Sequence, residues 1–423
     1  MSNQNIHRRS WLLPTTICSL LSASGPLIGA ASAQEPAAEA SLISRYLAGP
    51  IMASHQAALQ AETSAAGALP SLLPNPELEV RREEARGPAG ATTEAIGGAL
   101  TVDLGFAALS ERSAARLRGE AGTHYRHAAT LAAVCSARAD LLSLQEARDR
   151  ASVTASSATR LEGVLSILTA LSAAGDGAGY DRDRAALALT AHRMAAATAK
   201  GDQATQEARL AALLGQAAGA VELAPLQPQP SLSESVERST THPALLALQL
   251  EQSAAGQSTA AARRAVVPDL RLSGGARWDA PPSGGAATQG YEVGAAVSLP
   301  VFDVARTERR SAEADEARAA ATVTESSAML RAAVEGAWSR ADALSGSLAP
   351  LDAERIWTSA RARYLGGEST NDELLQVTGE LSDAQLAGTE SFYRYRRARL
   401  DLSCAVGHFE EPDIQAALEE SLR

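Results

Sequence analysis

The stretch Glu94 to Leu104 alternates in strand fashion inside a chain that elsewhere carries helical periodicity. Ile96, Gly98, Leu100, Val102 and Leu104 fall on one face, and Ala95, Gly97, Ala99, Thr101 and Asp103 on the other. The pattern returns from Tyr291 to Val301, where Tyr291, Val293, Ala295, Val297 and Leu299 alternate with Glu292, Gly294, Ala296 and Ser298. Each stretch has a partner. Glu77 to Glu84 precedes the first across Gly87-Pro88-Ala89-Gly90, and Leu270 to Trp278 precedes the second across Pro281 to Gly285. The pattern therefore predicts two β-hairpins with polar loops.

The rest reads as helix. Ser41 to about Ala66 is helical with a break at Gly49-Pro50, and Leu69 to Pro76 is too rich in proline to continue it. After Leu104 the helical pattern holds for roughly 60 residues, about 90 Å, which suggests a coiled coil. Leu131, Val134, Leu141, Leu142 and Leu144 supply its narrow apolar seam. A glycine-rich turn from Leu171 to Tyr180 breaks it, and a second helix returns from Asp181 to about Leu214, capped by Gly215.

The second half repeats the first. Gly49-Pro50 corresponds to His242-Pro243, Pro76 to Val80 corresponds to Pro268 to Leu272, and Glu111-Arg112 corresponds to Glu308-Arg309. A long helix, a turn at Gly366-Gly367 and a returning helix then follow, with Asp181 matched by Asp372 and Gly215 by Gly407. Such landmarks at near-constant offset indicate an internal duplication. The expected organisation is a secretory leader over 1–33, a first repeat over 34–225, a connector over 226–240, and a second repeat with a C-terminal tail over 241–423. The leader has Arg8 and Arg9, an apolar run from Trp11 and the small residues Ala31-Ser32-Ala33. Cys18 follows the bulky Ile17, so lipid attachment is not expected there.

Composition narrows the function. Aromatic residues make up 4% of the chain, which fits close-packed Ala-rich helices better than large globular cores. A net charge of −11 without a basic stripe argues against nucleic acid. Lys200 is the only lysine. Past the leader, no apolar run reaches the roughly 18 residues of a membrane-spanning helix. Cys135 and Cys404 show no metal spacing and are expected as small packing residues, with their pairing left open. His124 and His127 stand three apart on a helix without an acidic or cysteine partner. No catalytic residue, cofactor site or metal site is expected.

Four strands with one apolar face cannot close a barrel alone, and an open edge in lipid would leave backbone groups unsatisfied. Three chains would supply twelve strands, a plausible barrel lined by small and polar side chains. In this order of elements the chain resembles the outer-membrane efflux protein family typified by TolC. The resemblance rests on Val297-Ser-Leu-Pro-Val-Phe302, Gly177-Ala-Gly-Tyr-Asp181, Tyr364 to Asp372 with Glu373-Leu374-Leu375, and Arg399-Leu-Asp-Leu402 to Gly407. It implies a mainly α protein with a small β part: a homotrimer whose twelve-stranded transmembrane β-barrel, four strands per chain, continues as a long α-helical barrel of coiled-coil hairpins. It also implies an outer-membrane location extending into the periplasm, and a passive exit duct served by a periplasmic adaptor and an inner-membrane pump. The Gly-Tyr-Asp turn is more similar to the branch serving heavy-metal exporters of the resistance-nodulation-division type.

The acidic residues at the two turns, Asp176 and Asp181 at the first and Glu368, Asp372 and Glu373 at the second, would recur around a pore mouth in a trimer. The alternative reading is helix capping, since Asp181 and Asp372 stand where helices start. Tyr180 and Leu365 are candidates for adaptor contact or for closing their turns. The competing class is a periplasmic coiled-coil adaptor or structural protein without a membrane barrel.

Overall fold

The computed structural model describes residues 37–69, 76–84, 92–174, 179–280, 286, 288–298, 306–346 and 351–422. The expected leader, the hairpin loops, Asp176 and the segment from Leu299 to Phe302 lie outside the described residues.

The alternating stretches form one antiparallel sheet. Strands β2 (Glu77–Glu84), β3 (Thr92–Asp103), β5 (Asp269–Ala280) and β6 (Thr288–Ser298) stand in the order β2-β3-β5-β6. The two hairpins meet through β3 and β5, with Ile96 opposite Ala276 and Val102 opposite Leu270. Two short strands lie elsewhere: β1 (Ala37–Ala38) pairs in parallel with β4 (Val221–Glu222).

The helices run in a layer that is four wide at both levels. Following α1 (Glu39–Leu47) and α2 (Pro50–Ala66), α3 spans Ala107–Ala173, 67 residues or about 100 Å. It is followed by α4 (Gly179–Leu214), α5 (Leu232–Ser239), α6 (Pro243–Arg264), α7 (Arg306–Ser345), α8 (Ala353–Leu365), α9 (Asn371–Val406) and α10 (Pro412–Leu422). Next to the sheet the packing order is α2-α3-α6-α7; at the far end it is α4-α3-α9-α8. The second long helix departs from expectation: it ends at Ser345 and resumes as α8 at Ala353. The restart is capped, because the Asp352 carboxylate accepts the Arg355 N–H at 3.0 Å.

The main core lies at mid-height, where α1, α3, α9 and α10 converge around Leu42, Ile43, Leu141, Leu144, Tyr393, Phe409 and Ile414. A buried ion-pair cluster crosses it. Arg138 donates to Glu39 at 2.7 Å and takes both oxygens of Glu411 at 2.9 and 3.3 Å, and the second Glu39 oxygen accepts the Ala224 N–H at 2.9 Å. Burial opposes the Arg138 charge, but the two carboxylates more than offset it and raise its pKa. Tyr393 donates to Asp149 at 2.6 Å, and its pKa rises through burial and that carboxylate.

Cys135 and Cys404 form a disulfide, with Cα atoms 6.1 Å apart. This corrects the expectation of two independent packing residues. Helix packing brings α3 beside α9 and so aligns two thiols that stand 269 residues apart in sequence.

Candidate functional site at the helical tips

At the far end of the helices, the start of α4 stands beside the start of α9. Beneath them Val164, Leu168, Ala185 and Leu374 form a small buried cluster, flanked by Trp357 and Tyr364. Helix α9 starts with a capping box. The Thr370 hydroxyl accepts the Glu373 N–H at 3.3 Å, and the Glu373 carboxylate accepts the Thr370 N–H at 3.0 Å. The cap is thus Thr370, and Asp372 sits one residue inside Asn371, where a carboxylate favours the helix N-terminus. Gly367 supplies the left-handed turn at φ 75° that reverses the chain.

Two polar links tie the starts of α4 and α9 together. Asn371 donates to Asp181 at 2.6 Å, and Arg184 pairs with Asp372 at 2.7 Å. The structure therefore joins Asp181, Asp372 and Glu373 at one place, with Asp181 and Asp372 engaged across the two hairpins and Glu373 within its own cap. Glu368 stands 3.9 Å from Arg363, and Tyr180 and Leu365 are exposed. Three residues of this site escaped the sequence reading: Arg184, Thr370 and Asn371. Thr370-Asn-Asp-Glu373 is a legible capping signature; the cross-turn partners needed the tertiary arrangement.

The sheet offers a second surface. Leu78, Val80, Ile96, Leu272, Tyr291, Val293 and Val297 share one face and are exposed. The opposite face is charged: Arg271 bridges Glu77 and Glu79, and Asp279 accepts from Thr93 at 2.7 Å and from Arg277 at 2.8 Å. The apolar face ends toward the hairpin loops at the Arg82–Glu94 pair, 3.6 Å apart; the band below that pair suits hydrocarbon and the opposite face suits water.

His124 and His127 meet edge to face with centroids 5.9 Å apart. Burial, then the neighbouring His124 and Arg126 charges, lowers the His127 pKa. Among the described residues no third ligand gathers with them.

Residues 237–408 match the family model described as outer membrane efflux protein. A comparison with curated proteins finds no match. Solved structures of similar fold include the outer membrane protein VceC from Vibrio cholerae, with TM-score 0.70 at 19% identity over 88% of this chain and 96% of that one. The open state of the MtrE outer membrane channel from Neisseria gonorrhoeae gives 0.67 at 16% identity over 89% and 90%. CusC, solved in a study of folding and transmembrane channel formation, gives 0.68 at 15% identity over 88% and 92%. At these identities the likeness is one of fold.

Proposed function

We propose that this chain is one protomer of a homotrimeric outer-membrane efflux channel, a passive duct that lies in the outer membrane and extends into the periplasm. The observation that carries the proposal is the four-stranded sheet: its two edges, β2 and β6, have no strand partner among the described residues, and one face is apolar and exposed. Joining β2 of one copy to β6 of the next satisfies both edges, and three copies give twelve strands. The matching of residues 237–408 to the efflux family supports this reading.

The helices support the same closure. Ala185, Leu189 and Leu210 of α4 are buried toward α3 at heptad spacing. A second seam, Leu187, Ala191, Met194, Thr198 and Gly201, alternates by four and three, and it is exposed. The two seams lie about 150° apart around the helix, the interior angle of a twelve-membered ring. Four helices abreast in each of three copies make that ring, with α4 of one copy against α8 of the next.

Asp181, Asp372 and Glu373, with Glu368, then surround the periplasmic mouth, and the links through Asn371 and Arg184 hold it narrow. Asp176 belongs to the same turn in sequence. The duct receives cargo from an inner-membrane pump through a periplasmic adaptor that contacts Tyr180 and Leu365. Cations, heavy-metal ions among them, are the cargo class that the acidic mouth favours. The duct needs no catalysis. The proposal is tested by adding the purified protein to planar lipid bilayers: stepwise conductance increments support it, and protein that floats with vesicles yet never conducts contradicts it.

A further inference from the structure

Resting on the membrane reading above, we propose that the corner between β3 and α3 is a bilayer-boundary anchor. Phe106 lies at headgroup level in the periplasmic leaflet, and Arg112, Arg306 and Arg310 hold anionic phospholipid headgroups just beneath it.

The corner is tightly built. The Asp103 carboxylate accepts the Gly105 N–H at 2.8 Å and the Ala108 N–H at 3.1 Å, which ends the strand and starts the helix. Gly105 has no room for a side chain, since a Cβ there would collide with the Arg264 carbonyl oxygen. The outcome is Phe106 in the left-handed region at φ 54°, the only described residue other than glycine with positive φ. A bulky side chain is rare there, and this one is 62% exposed, so neither backbone preference nor core packing accounts for it.

Its surroundings point to lipid. The apolar sheet face runs through Leu100 and Val102 to exposed Leu104, and exposed Leu109 and Val267 flank the corner. Strand β3 is paired on both sides and α3 is flanked on both sides, so the corner is away from the protomer's edges and another copy cannot cover it laterally. An aromatic ring followed by arginines is the order expected from hydrocarbon to headgroup.

Three arginines stand at the required height. Arg264 reaches Ser110, one helical turn or about 6 Å below Phe106. Thr259 of α6 bonds to Ala312 of α7, which places the first turns of α7 level with the end of α6 and so with Ser110. Arg112, Arg306 and Arg310 are exposed and make no ion pair among the described residues. Arg306 and Arg310 share one helix face, while Glu308 turns to a groove lined by Arg118 and Ser258. Of the carboxylates at this level, Asp103 is engaged in the corner with Asp269 opposite it, Glu313 pairs with Arg263 at 3.2 Å, and Glu111 is exposed.

The test uses the full protein reconstituted in vesicles. The added emission of Phe106→Trp, read against the unsubstituted protein, should be quenched more by lipid brominated near the headgroup than by lipid brominated near the chain ends. In detergent, phosphatidylglycerol should raise the thermal midpoint relative to phosphatidylcholine, and the triple variant R112Q/R306Q/R310Q should lose at least half of that rise. Inserted protein whose added tryptophan is unquenched overturns the anchor while leaving the channel standing. An undiminished response in the triple variant overturns the headgroup site, as does an equal response to inorganic phosphate. Failure to insert at all overturns the anchor and the channel together.

Discussion

Replacing Arg138 by methionine should be among the most damaging single changes in the helical part. The side chain is 8% exposed, Glu39 1% and Glu411 13%, so the substitution leaves two carboxylates in a core with one backbone donor, the Ala224 N–H, and only the charge of nearby Arg396 to offset them. Breaking a buried pair by removing one partner costs about 3–5 kcal/mol, mostly the burial of uncompensated charge. The guanidinium also covers the Phe409 ring at 5.2 Å, a contact methionine retains in part. At roughly 1 °C per kcal/mol for a chain of this size, the melting temperature should fall by about 3–6 °C. The assay is thermal unfolding of detergent-purified protein followed by far-ultraviolet circular dichroism. The diagnostic arm is R138M/E39Q/E411Q, which removes the stranded charges and should recover most of the loss. A single variant that melts like the parent, or a triple variant no better than the single, would refute the reasoning.

Replacing both Cys135 and Cys404 by alanine should lower stability by about 2–5 kcal/mol, because the bond closes a very long loop; the oxidised parent should migrate faster than the reduced one on a denaturing gel. Asp181→Ala with Asp372→Ala should raise channel conductance with almost no change in melting temperature, since surface pairs of this kind are worth under about 1 kcal/mol. Gly105→Ala should cost about 1–3 kcal/mol through overpacking against the Arg264 carbonyl, seen as reduced yield of folded protein. His242 caps α6, its Nδ1 accepting the Ala244 N–H at 3.2 Å, and burial lowers its pKa. A depressed histidine gives stability that is present above its unfolded value of about 6.5 and lost as pH falls below it, so melting temperature should drop on acidification, and less so in His242→Asn.

The strands and long helices were legible because alternation and heptad spacing are local properties. Glu77 to Glu84 and Gly49-Pro50 gave their elements almost to the residue. What could not be read were relations between distant segments. The Cys135 to Cys404 bond depends on α3 packing beside α9, and the two-residue pairing of β1 with β4 is too short to leave a periodic signal. The end of α7 at Ser345 follows from Gly346, Pro350 and the Asp352 cap, punctuation that a search for matching repeats passes over. At the tips the acidic residues were found, but their partners Arg184 and Asn371 were not, since each bond crosses from one hairpin to the other.

The most direct test of the central claim is the native mass and location of the protein, taken from fractionated envelopes solubilised in mild detergent. The account predicts three copies per particle in the outer-membrane fraction. A monomer or dimer in the soluble periplasmic fraction would contradict it, leaving the edges of β2 and β6 without the neighbour that closes the barrel.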